Sequence, residues 1–493
     1  MTDEFPSFQP YALTPLDHIA PPLYALFYLS FRPEHPSQTL VTLKGGISHL
    51  VSKWPFLAGN VVQIQRGKKI GLEIHPPAAS DLVDYPMLQV KHHQQPISHI
   101  PSLTVIDNEL LHIPTKVPIA YPIPAVRFQA NIMHDGIVLC LGWHHQVMDG
   151  VGVSTILGSL SRCCRGLEGK IPPPPTDLQN EGRARRQIIE AADSEDSSSH
   201  NHDGAYDSID YEEAWDDSFE PIISRRYALC AERVAYLKDS CNALIRDLVI
   251  DHPMTCRNSD ESNSEYPEEN DRMSCDDAVT ALTWLCCSRA RLRAASRRST
   301  GLPHTSSLSR LVEVRSLMQP HLPRSYLGNS LVVARSQCNW DDIPGSHDDP
   351  PPASGGNRVG EETIHALLKL ALRSRAKCKS INDKHVRGLI TEVKNCDNYE
   401  EFAEAPAEVD MSSLRRLGLY RLNWGPHLGP MVDFDAIDSR TDGLSMILPA
   451  RPGKPGQTPW ELRITLPLTV MEQFRRDELV NWATGAKKSE FKL

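Results

Sequence analysis

The chain has 493 residues, roughly two to three times the length of a typical domain, which predicts two domains with substantial cores. Its 52 Lys and Arg against 62 Asp and Glu give a formal net charge of −10. The acidic excess is concentrated in residues 193–220, so the rest of the chain is close to neutral. This balance argues against a basic face that would bind nucleic acid or an anionic membrane. No apolar run approaches the ~20 residues of a membrane span, and residues 1–5 lack the features of a secretory signal. We expect a soluble, cytoplasmic protein.

The first half of the sequence mixes helical and strand patterns. Residues 38–53 have apolar positions at helical spacing and end before Pro55, which predicts an amphipathic helix. Residues 125–133 alternate as a strand does, 134–136 predict a tight turn, and 137–143 predict a second, almost wholly apolar strand. Another amphipathic helix is predicted for residues 153–164. The segment between that strand and that helix therefore stands at the exit of a buried strand.

A polar, proline-rich region divides the sequence into an N-terminal domain, 1–170, and a C-terminal domain, 223–493. Residues 171–222 contain too few apolar side chains to offset the entropy of ordering them, which predicts a mostly disordered linker. The second half predicts a helix at 276–295, strands at 311–315, 331–336 and 462–466, and polar insertions near 252–275 and 340–361. The fold class is therefore α/β or α+β with mixed sheets.

The twelve cysteines include adjacent pairs at 163–164 and 286–287 but no C-x-x-C spacing. Zinc sites and disulfide frameworks use spaced pairs, and thiols in the cytoplasm are kept reduced. The pattern therefore favours buried, reduced thiols and no bound metal.

The segment 144–150, with the sequence HHQVMDG, follows the second predicted strand of the hairpin. Strand alternation sends His144 and His145 to opposite faces, so only one of them is expected to face a cleft. An imidazole suits the abstraction of a proton from a hydroxyl or an amine near neutral pH. Asp149 and Gly150 would fix the backbone that positions it.

Three other interpretations of this segment compete with a general base. His145 could be a core histidine with satisfied hydrogen bonds. The two histidines and Asp149 could bind a metal ion, although side chains on opposite faces and the lack of a third nearby ligand argue against it. A nucleophilic triad would need a Ser or Cys in an elbow, and no G-x-S-x-G occurs, which argues against covalent catalysis.

The HHQVMDG segment resembles the signature of the BAHD acyltransferases, the coenzyme A-dependent enzymes of plant and fungal secondary metabolism. The resemblance extends to residues 13–17 (LTPLD), 54–59 (WPFLAG), 312–315 (VEVR), 326–329 (YLGN) and 460–462 (WEL). These segments look most like the fungal branch, which includes trichothecene 3-O-acetyltransferase-like enzymes. The resemblance implies an α/β fold like that of chloramphenicol acetyltransferase. Two similar-sized domains, each a mixed sheet with flanking helices, would enclose an active-site channel between them.

The resemblance also implies roles for single residues. His145 corresponds to the family's general base, which deprotonates an acceptor that attacks the acyl thioester directly. Asp149 corresponds to a largely structural residue that turns away from the cleft toward an arginine, and Arg315 is its natural partner. Gly150 belongs to the turn beside this pair.

The family's second signature, Asp-Phe-Gly-Trp-Gly, corresponds here to residues 421–425, with the sequence RLNWG. Trp424 and Gly425 are kept, and in the family the Trp is expected near the reacting centre, where it can support the transition state. The alternative is that Trp424 is a core aromatic residue. Arg421 stands where the family has Asp, so we expect either a compensating acid nearby or an altered local geometry.

The reaction implied by the resemblance transfers an acyl group, most simply acetyl, from an acyl-CoA to a hydroxyl of a terpenoid or polyketide. The enzyme would act as a monomer without a permanently bound cofactor. The phosphates of coenzyme A need Lys or Arg partners, and the arginine-rich residues 289–298 are one candidate, a solvated helix face being the alternative.

Two other functions compete with this one. A condensation-type domain shares the H-H-x-x-x-D-G pattern but takes acyl groups from carrier proteins, and the Y-L-G-N and N-W-G segments argue against it. A non-catalytic relative would bind a metabolite without turnover. Arg421 leaves that alternative open, whereas an intact His145 argues against it.

Overall fold

The computed structural model describes residues 7–114, 122–166, 178–191, 206–207, 220–251, 272–298, 305–345, 359–397, 403–454 and 456–485. Its strands are β1 (Tyr11–Ala12), β2 (Tyr24–Phe31), β3 (Asn60–Arg66), β4 (Lys69–His75), β5 (Leu88–His92), β6 (Val126–Met133), β7 (Gly136–His144), β8 (Tyr206–Asp207), β9 (Ile222–Leu229), β10 (Thr305–Glu313), β11 (Leu331–Asn339), β12 (Ala403–Glu404), β13 (Val409–Ser413), β14 (Met431–Asp435), β15 (Leu444–Ile447) and β16 (Trp460–Pro467). Its helices are α1 (Pro15–His18), α2 (Pro36–Lys53), α3 (Ala79–Asp84), α4 (His99–Ser102), α5 (Gly150–Gly166), α6 (Leu178–Ala191), α7 (Ala231–Asp251), α8 (Cys275–Arg298), α9 (Glu361–Ser380), α10 (Asp383–Asn395), α11 (Leu468–Arg476) and α12 (Glu478–Thr484).

The first large sheet has the strand order β14-β2-β7-β6-β5. It is mixed, because β5 runs parallel to β6 whereas its other neighbours are antiparallel. The predicted hairpin is confirmed as β6 and β7, with Met133 opposite Gly136 at the tight turn. The predicted helices are confirmed as α2 and α5, which pack against each other. Gly46 allows this close approach, since a Cβ there would lie 2.5 Å from the Sγ of Cys164.

The second large sheet has the strand order β11-β10-β13-β15-β16-β9 and is also mixed. Helix α8, predicted at 276–295, packs against β13, and its buried Trp284 donates a hydrogen bond to the Ser306 hydroxyl of β10 at 2.9 Å. The strand predicted at 311–315 is observed earlier, as β10, because the chain turns at Arg315. The predicted α/β class with two mixed sheets and flanking helices is confirmed. Within the described residues, no helix combines the length and the apolar character needed to cross a membrane.

Strand β14 links the two halves, because it comes from the second half of the chain yet completes the first sheet. Its Phe434 packs edge-on against Phe27 of β2, with ring centroids 4.9 Å apart. Its Asp435 accepts two hydrogen bonds, at 2.8 and 2.9 Å, from the buried Arg463 of β16. The two sheets are therefore joined by a buried ion pair as well as by the chain, and the domain division at residues 171–222 stays a prediction.

Helix α6 is an ordered part of the segment predicted as a disordered linker. Its buried Arg185 forms ion pairs with Glu181 one turn earlier, at 3.2 Å, and with Asp17 of α1, at 3.0 Å. Ile188, one turn later, is fully buried. The structure thus differs from the prediction over residues 178–191, because a narrow buried stripe is hidden within a polar composition.

Most of the remaining predicted linker lies outside the described residues. The same is true of residues 252–271 and 346–358, which form most of the two predicted polar insertions. Their predicted disorder or loop structure therefore stays a prediction.

Candidate active site

The HHQVMDG segment begins at the end of β7, where the two halves of the chain meet. The backbone N–H of His145 donates to the carbonyl of Leu23, just before β2, at 2.8 Å. The carbonyl of His145 accepts a hydrogen bond from Nδ2 of Asn329, between β10 and β11, at 3.0 Å. The residue as a whole is half-buried, and Nδ1 of its imidazole is enclosed. The first sheet and the second half of the chain therefore hold the backbone of His145 from two sides.

His144 and His145 have different environments, as strand alternation predicts. The ring of His144 packs edge-on against Tyr24, with centroids 5.7 Å apart, and burial together with the neighbouring His145 lowers the pKa of His144 to about 3. The ring of His145 lies 6.3 Å from that of Trp143, which packs among the buried residues of α2, α5 and the first sheet. We call this cluster the first core. His144 is therefore a neutral core residue, which leaves His145 as the candidate base.

Burial keeps the imidazole of His145 neutral. Burial lowers the pKa of His145 below its usual value of 6.5, and the carboxylate of Asp149 only partly offsets this effect. Further away, Arg440 lowers the pKa and Asp438 raises it. Within the described chain, no carboxylate is hydrogen-bonded to the imidazole, unlike the histidine of a Ser-His-Asp triad. The ring is thus in the form that can accept a proton at neutral pH.

Asp149 is fully buried, and its carboxylate faces the second half of the chain. It accepts two hydrogen bonds from the guanidinium of Arg315, at 3.0 and 3.1 Å, which is the bidentate geometry of a strong ion pair. It also accepts from the backbone N–H of Gly152 at 2.8 Å, which caps the start of helix α5. The Ser330 backbone N–H and hydroxyl complete its contacts at 3.1 and 3.2 Å. Asp149 therefore anchors the turn that carries His145.

Arg315 joins the motif to the YLGN segment. Besides Asp149, its guanidinium donates to the carbonyls of Tyr326 at 3.0 Å and Gly328 at 2.9 Å. Burial would lower the pKa of Arg315, but the carboxylates of Asp149 and Glu313 outweigh it and raise the pKa. Arg315 thus stays charged in the interior and connects three segments of the chain.

Two glycines permit this close packing. A Cβ at Gly152 would lie 2.0 Å from the carbonyl oxygen of Leu327, so no larger residue fits at the start of α5. A Cβ at Gly150 would lie 3.2 Å from the side chain of Leu414, closer than an ordinary van der Waals contact, so a larger residue there would press on the second half of the chain. The steric requirement is more severe at Gly152, a position that sequence reasoning did not identify.

Sequence reasoning also missed a buried polar chain behind His145. The amide of Asn329 bonds the His145 carbonyl, and its backbone N–H and Nδ2 donate to Asp17 at 2.7 and 3.1 Å. Asp17 in turn pairs with Arg185 of α6. The quoted LTPLD and YLGN segments contain Asp17 and Asn329, but their pairing is visible only in three dimensions.

Comparisons with known proteins match nearly the whole chain. A model of the Transferase family matches residues 7–479. The chain is 31% identical to the communesin N16 acyltransferase of Penicillium expansum, over 97% of this chain and 98% of the relative. The chain belongs to this transferase family. It is also 29% identical to the fumigaclavine B O-acetyltransferase of Aspergillus fumigatus, again over 97% of this chain and 98% of the relative.

The fold of this family member is similar to that of F. sporotrichioides TRI101 in its complex with coenzyme A and T-2. The TM-score is 0.70 at 18% sequence identity, covering 96% of this chain and 98% of that chain. This match shows the fold. The family model and the relatives confirm the resemblance to the BAHD acyltransferases, and the protein is an acyltransferase.

Trp424 of this acyltransferase lies far from His145. Its indole packs against Phe31 at the end of β2, with ring centroids 5.2 Å apart, whereas His145 lies beside Tyr24 at the start of that strand. Seven residues of strand separate the two positions, a distance of about 23 Å. Trp424 is fully buried in the first core, so its position supports the core alternative and not the expected role near the reacting centre. Gly425 follows Trp424 at this distant end.

A pair of tryptophan substitutions separates these roles. Trp424→Phe is expected to lower stability by about 1–3 kcal/mol through lost packing, while kcat stays within about twofold of wild type. Trp143→Phe removes the hydrogen bond that the indole donates to the carbonyl of Met148, at 2.9 Å, and alters the ring beside His145. We expect this second variant to lose activity as well as stability. Steady-state rates and thermal midpoints measure both, and a selective loss of kcat in Trp424→Phe would restore the transition-state role.

Arg421 stands on the surface, where its charge costs little. Its side chain is exposed and, in the described part of the chain, forms no ion pair with a carboxylate. It borders a shallow cavity of about 440 Å³ that residues 422–426 also line. The expected compensating acid is therefore not needed, because water solvates the guanidinium.

The arginine-rich stretch of α8 is engaged within the protein. Arg291 pairs with Asp442 at 2.7 Å, and Arg293 pairs with Asp477 at 3.0 Å. Arg289 is buried and donates to the carbonyl of Pro344 at 2.6 Å. These three residues thus fit neither the expected phosphate site nor the alternative of a solvated helix face.

Proposed function

We propose that this acyltransferase transfers an acyl group, most simply acetyl, from acyl-CoA to a hydroxyl of a fungal secondary metabolite, with His145 as general base. The observation that carries the proposal is the position of His145. The residue is half-buried at the junction of the two halves, its imidazole is neutral, and its backbone is fixed by Leu23 and Asn329. Asp149 is turned away and fully bonded, which leaves His145 as the group suited to proton transfer.

The proposed chemistry is a direct transfer. The imidazole of His145 takes the hydroxyl proton as the acceptor oxygen attacks the carbonyl carbon of the thioester. The carbon–sulfur bond breaks, and the thiolate of coenzyme A recovers a proton from the imidazolium. Arg315 and Asp149 hold the turn in place through these steps but exchange no proton.

The names of the relatives support the proposed donor and acceptor class. One is named an O-acetyltransferase and another an acyltransferase acting at N16 of communesin, and the TRI101 structure contains coenzyme A with T-2. A neutral imidazole can deprotonate a hydroxyl or assist an amine, so both acceptor types are compatible with the site. We propose the hydroxyl because the second relative and others of similar length are named O-acetyltransferases.

The test is the release of coenzyme A from acetyl-CoA, detected with a thiol-reactive dye. Purified protein is incubated with a panel of hydroxylated terpenoids, polyketides and alkaloids, and mass spectrometry distinguishes an ester from an amide product. Acceptor-dependent release with an ester product is expected. Amide products alone would correct the acceptor type, and turnover only with carrier-bound acyl groups would favour a condensation-type function.

The pH dependence of the reaction should report the imidazole of His145. Because its pKa lies below 6.5, the neutral, proton-accepting form predominates at pH 7 and persists to lower pH than for an exposed histidine. We expect kcat/KM to be flat above about pH 7 and to fall below the lowered pKa. Initial rates in buffers of constant ionic strength measure this profile, and an acid limb centred above pH 7 would contradict it.

A further inference from the structure

The two faces of the second sheet have different surroundings. Leu308 of β10 and Val409 of β13 belong to the core beneath helices α8 and α9. Ser309 and Asp410, the next residues along these strands, therefore lie on the opposite face, and they are neighbours in register. We call this opposite face the cleft face.

The cleft face is turned toward the first half of the chain. Along β13, alternation places Leu414 on the same side as Asp410, and Leu414 packs in the first core beside Gly150 of the motif. Met446 of β15, paired with Ser412, also packs against the first core. Asp410 lies four residues, roughly 13 Å along the strand, from Leu414, the residue that contacts the motif.

Asp410 and Ser309 both have unused hydrogen-bonding capacity. The Oδ1 of Asp410 and the Oγ of Ser309 are enclosed, and neither has a hydrogen-bond partner among the described residues. Asp410 forms no ion pair with a Lys or Arg of the described chain, and burial alone raises its pKa to about 6. At neutral pH this places an ionised carboxylate without an ion pair on the cleft face. Arg335 lies opposite Ser309 on this face, but its guanidinium donates to the backbone carbonyls of residues 405 and 406. An enclosed carboxylate in this state costs stability unless a partner arrives.

We propose that Asp410, assisted by Ser309, binds a basic nitrogen of the acceptor and so selects acceptors that carry an ammonium group at a distance from the acylated position. The inference rests on the cleft being the acceptor site of the proposed reaction. An ammonium group supplies the positive counter-charge that the Asp410 carboxylate lacks. Its N–H groups are also donors for Oδ1 of Asp410 and Oγ of Ser309. A neutral hydroxyl would supply the hydrogen bond but not the charge, so a cation is the better match.

The test compares three probes of nearly equal shape, namely tryptamine with an ammonium, tryptophol with a hydroxyl and 3-propylindole with a methyl group at the same position. Binding to the coenzyme A-saturated enzyme at pH 7.5 is measured by calorimetry, so that no acyl group is transferred. Wild type is expected to bind tryptamine about tenfold to a hundredfold more tightly than 3-propylindole, the range for a hydrogen bond to a charged group. Tryptophol should fall between them.

Three variants make the result specific. Asp410→Asn, which keeps the shape, should lose the preference for tryptamine, and Ser309→Ala should reduce it several-fold. Asp239→Asn, which removes an exposed carboxylate of α7, is the matched control and should change nothing. Equal affinity for tryptamine and 3-propylindole in wild type, no binding of tryptamine, or a preference that survives in Asp410→Asn would each overturn the proposal.

The failure of this inference and that of the proposed reaction are distinguishable. Acceptor-dependent coenzyme A release without any preference for ammonium probes would overturn the role of Asp410 alone. A preference for tryptamine that depends on Asp410, in a protein that never releases coenzyme A, would keep the binding site and reject the reaction.

Discussion

His145→Ala is expected to lower kcat/KM for acetyl transfer by about 10²–10⁴, the usual contribution of a positioned general base. The thermal midpoint should change little, because the residue is only half-buried and its backbone hydrogen bonds to Leu23 and Asn329 do not need the imidazole. Coenzyme A release under saturating acetyl-CoA measures the rate, and differential scanning fluorimetry measures the thermal midpoint of unfolding.

The matched control for this loss is His144→Gln. His144 packs against Tyr24 on the other side of β7, and its low pKa makes it a poor proton acceptor near pH 7. We expect this variant to lose stability but to keep kcat within about tenfold of wild type, well inside the effect of a lost base. If His145→Ala retains full activity while His144→Gln is inactive and folded, the assignment of the base is wrong.

Arg315→Ala is expected to cost about 3–5 kcal/mol of unfolding free energy, because it leaves the buried carboxylate of Asp149 without its cation. Asp149→Ala should cost a similar amount, since it removes both the ion pair and the cap of α5. Urea denaturation measures both. Activity should fall in parallel with the folded fraction, so a stable but inactive Arg315→Ala would show a direct catalytic role instead.

A double-mutant cycle tests whether the two losses have one origin. In the double variant Asp149→Ala, Arg315→Ala no charge is stranded, so the second substitution should cost far less than it does alone. Arg387→Ala is the control, because its pair with Asp383 is partly exposed on α10 and should be worth less than about 1 kcal/mol. Additive losses in the double variant would contradict a shared ion pair.

Much of the framework was predictable from local pattern. Apolar residues repeat every two positions in the β6–β7 hairpin and every three to four positions in α2, α5 and α8. These repeats arise because each element buries one face against a core. Helix α6 was not predictable in this way. Its composition is that of a solvated segment, and it is ordered because Arg185 and Glu181 meet partners more than a hundred residues away.

The same division applies to the candidate site. Strand alternation indicated that only one of the two histidines faces the cleft, and the resemblance to the BAHD signature implied that it is His145 and that Asp149 turns toward Arg315. They could not reveal that Asn329 holds the His145 carbonyl or that Gly152 must lack a Cβ, since both depend on contacts with the YLGN region. The role expected for Trp424 stays a prediction that its packing against Phe31 does not favour, and a motif in the sequence carries no information about which end of β2 it packs against.

The sequence by itself therefore determined the class of fold, the family and the candidate base, because these depend on short-range periodicity and on a motif of seven residues. Only the tertiary structure decided what surrounds that base. It completed the first sheet with β14 and placed Asp410 on the cleft face without an ion pair. The physical reason is that burial and charge pairing are properties of long-range contacts, which a linear pattern does not contain.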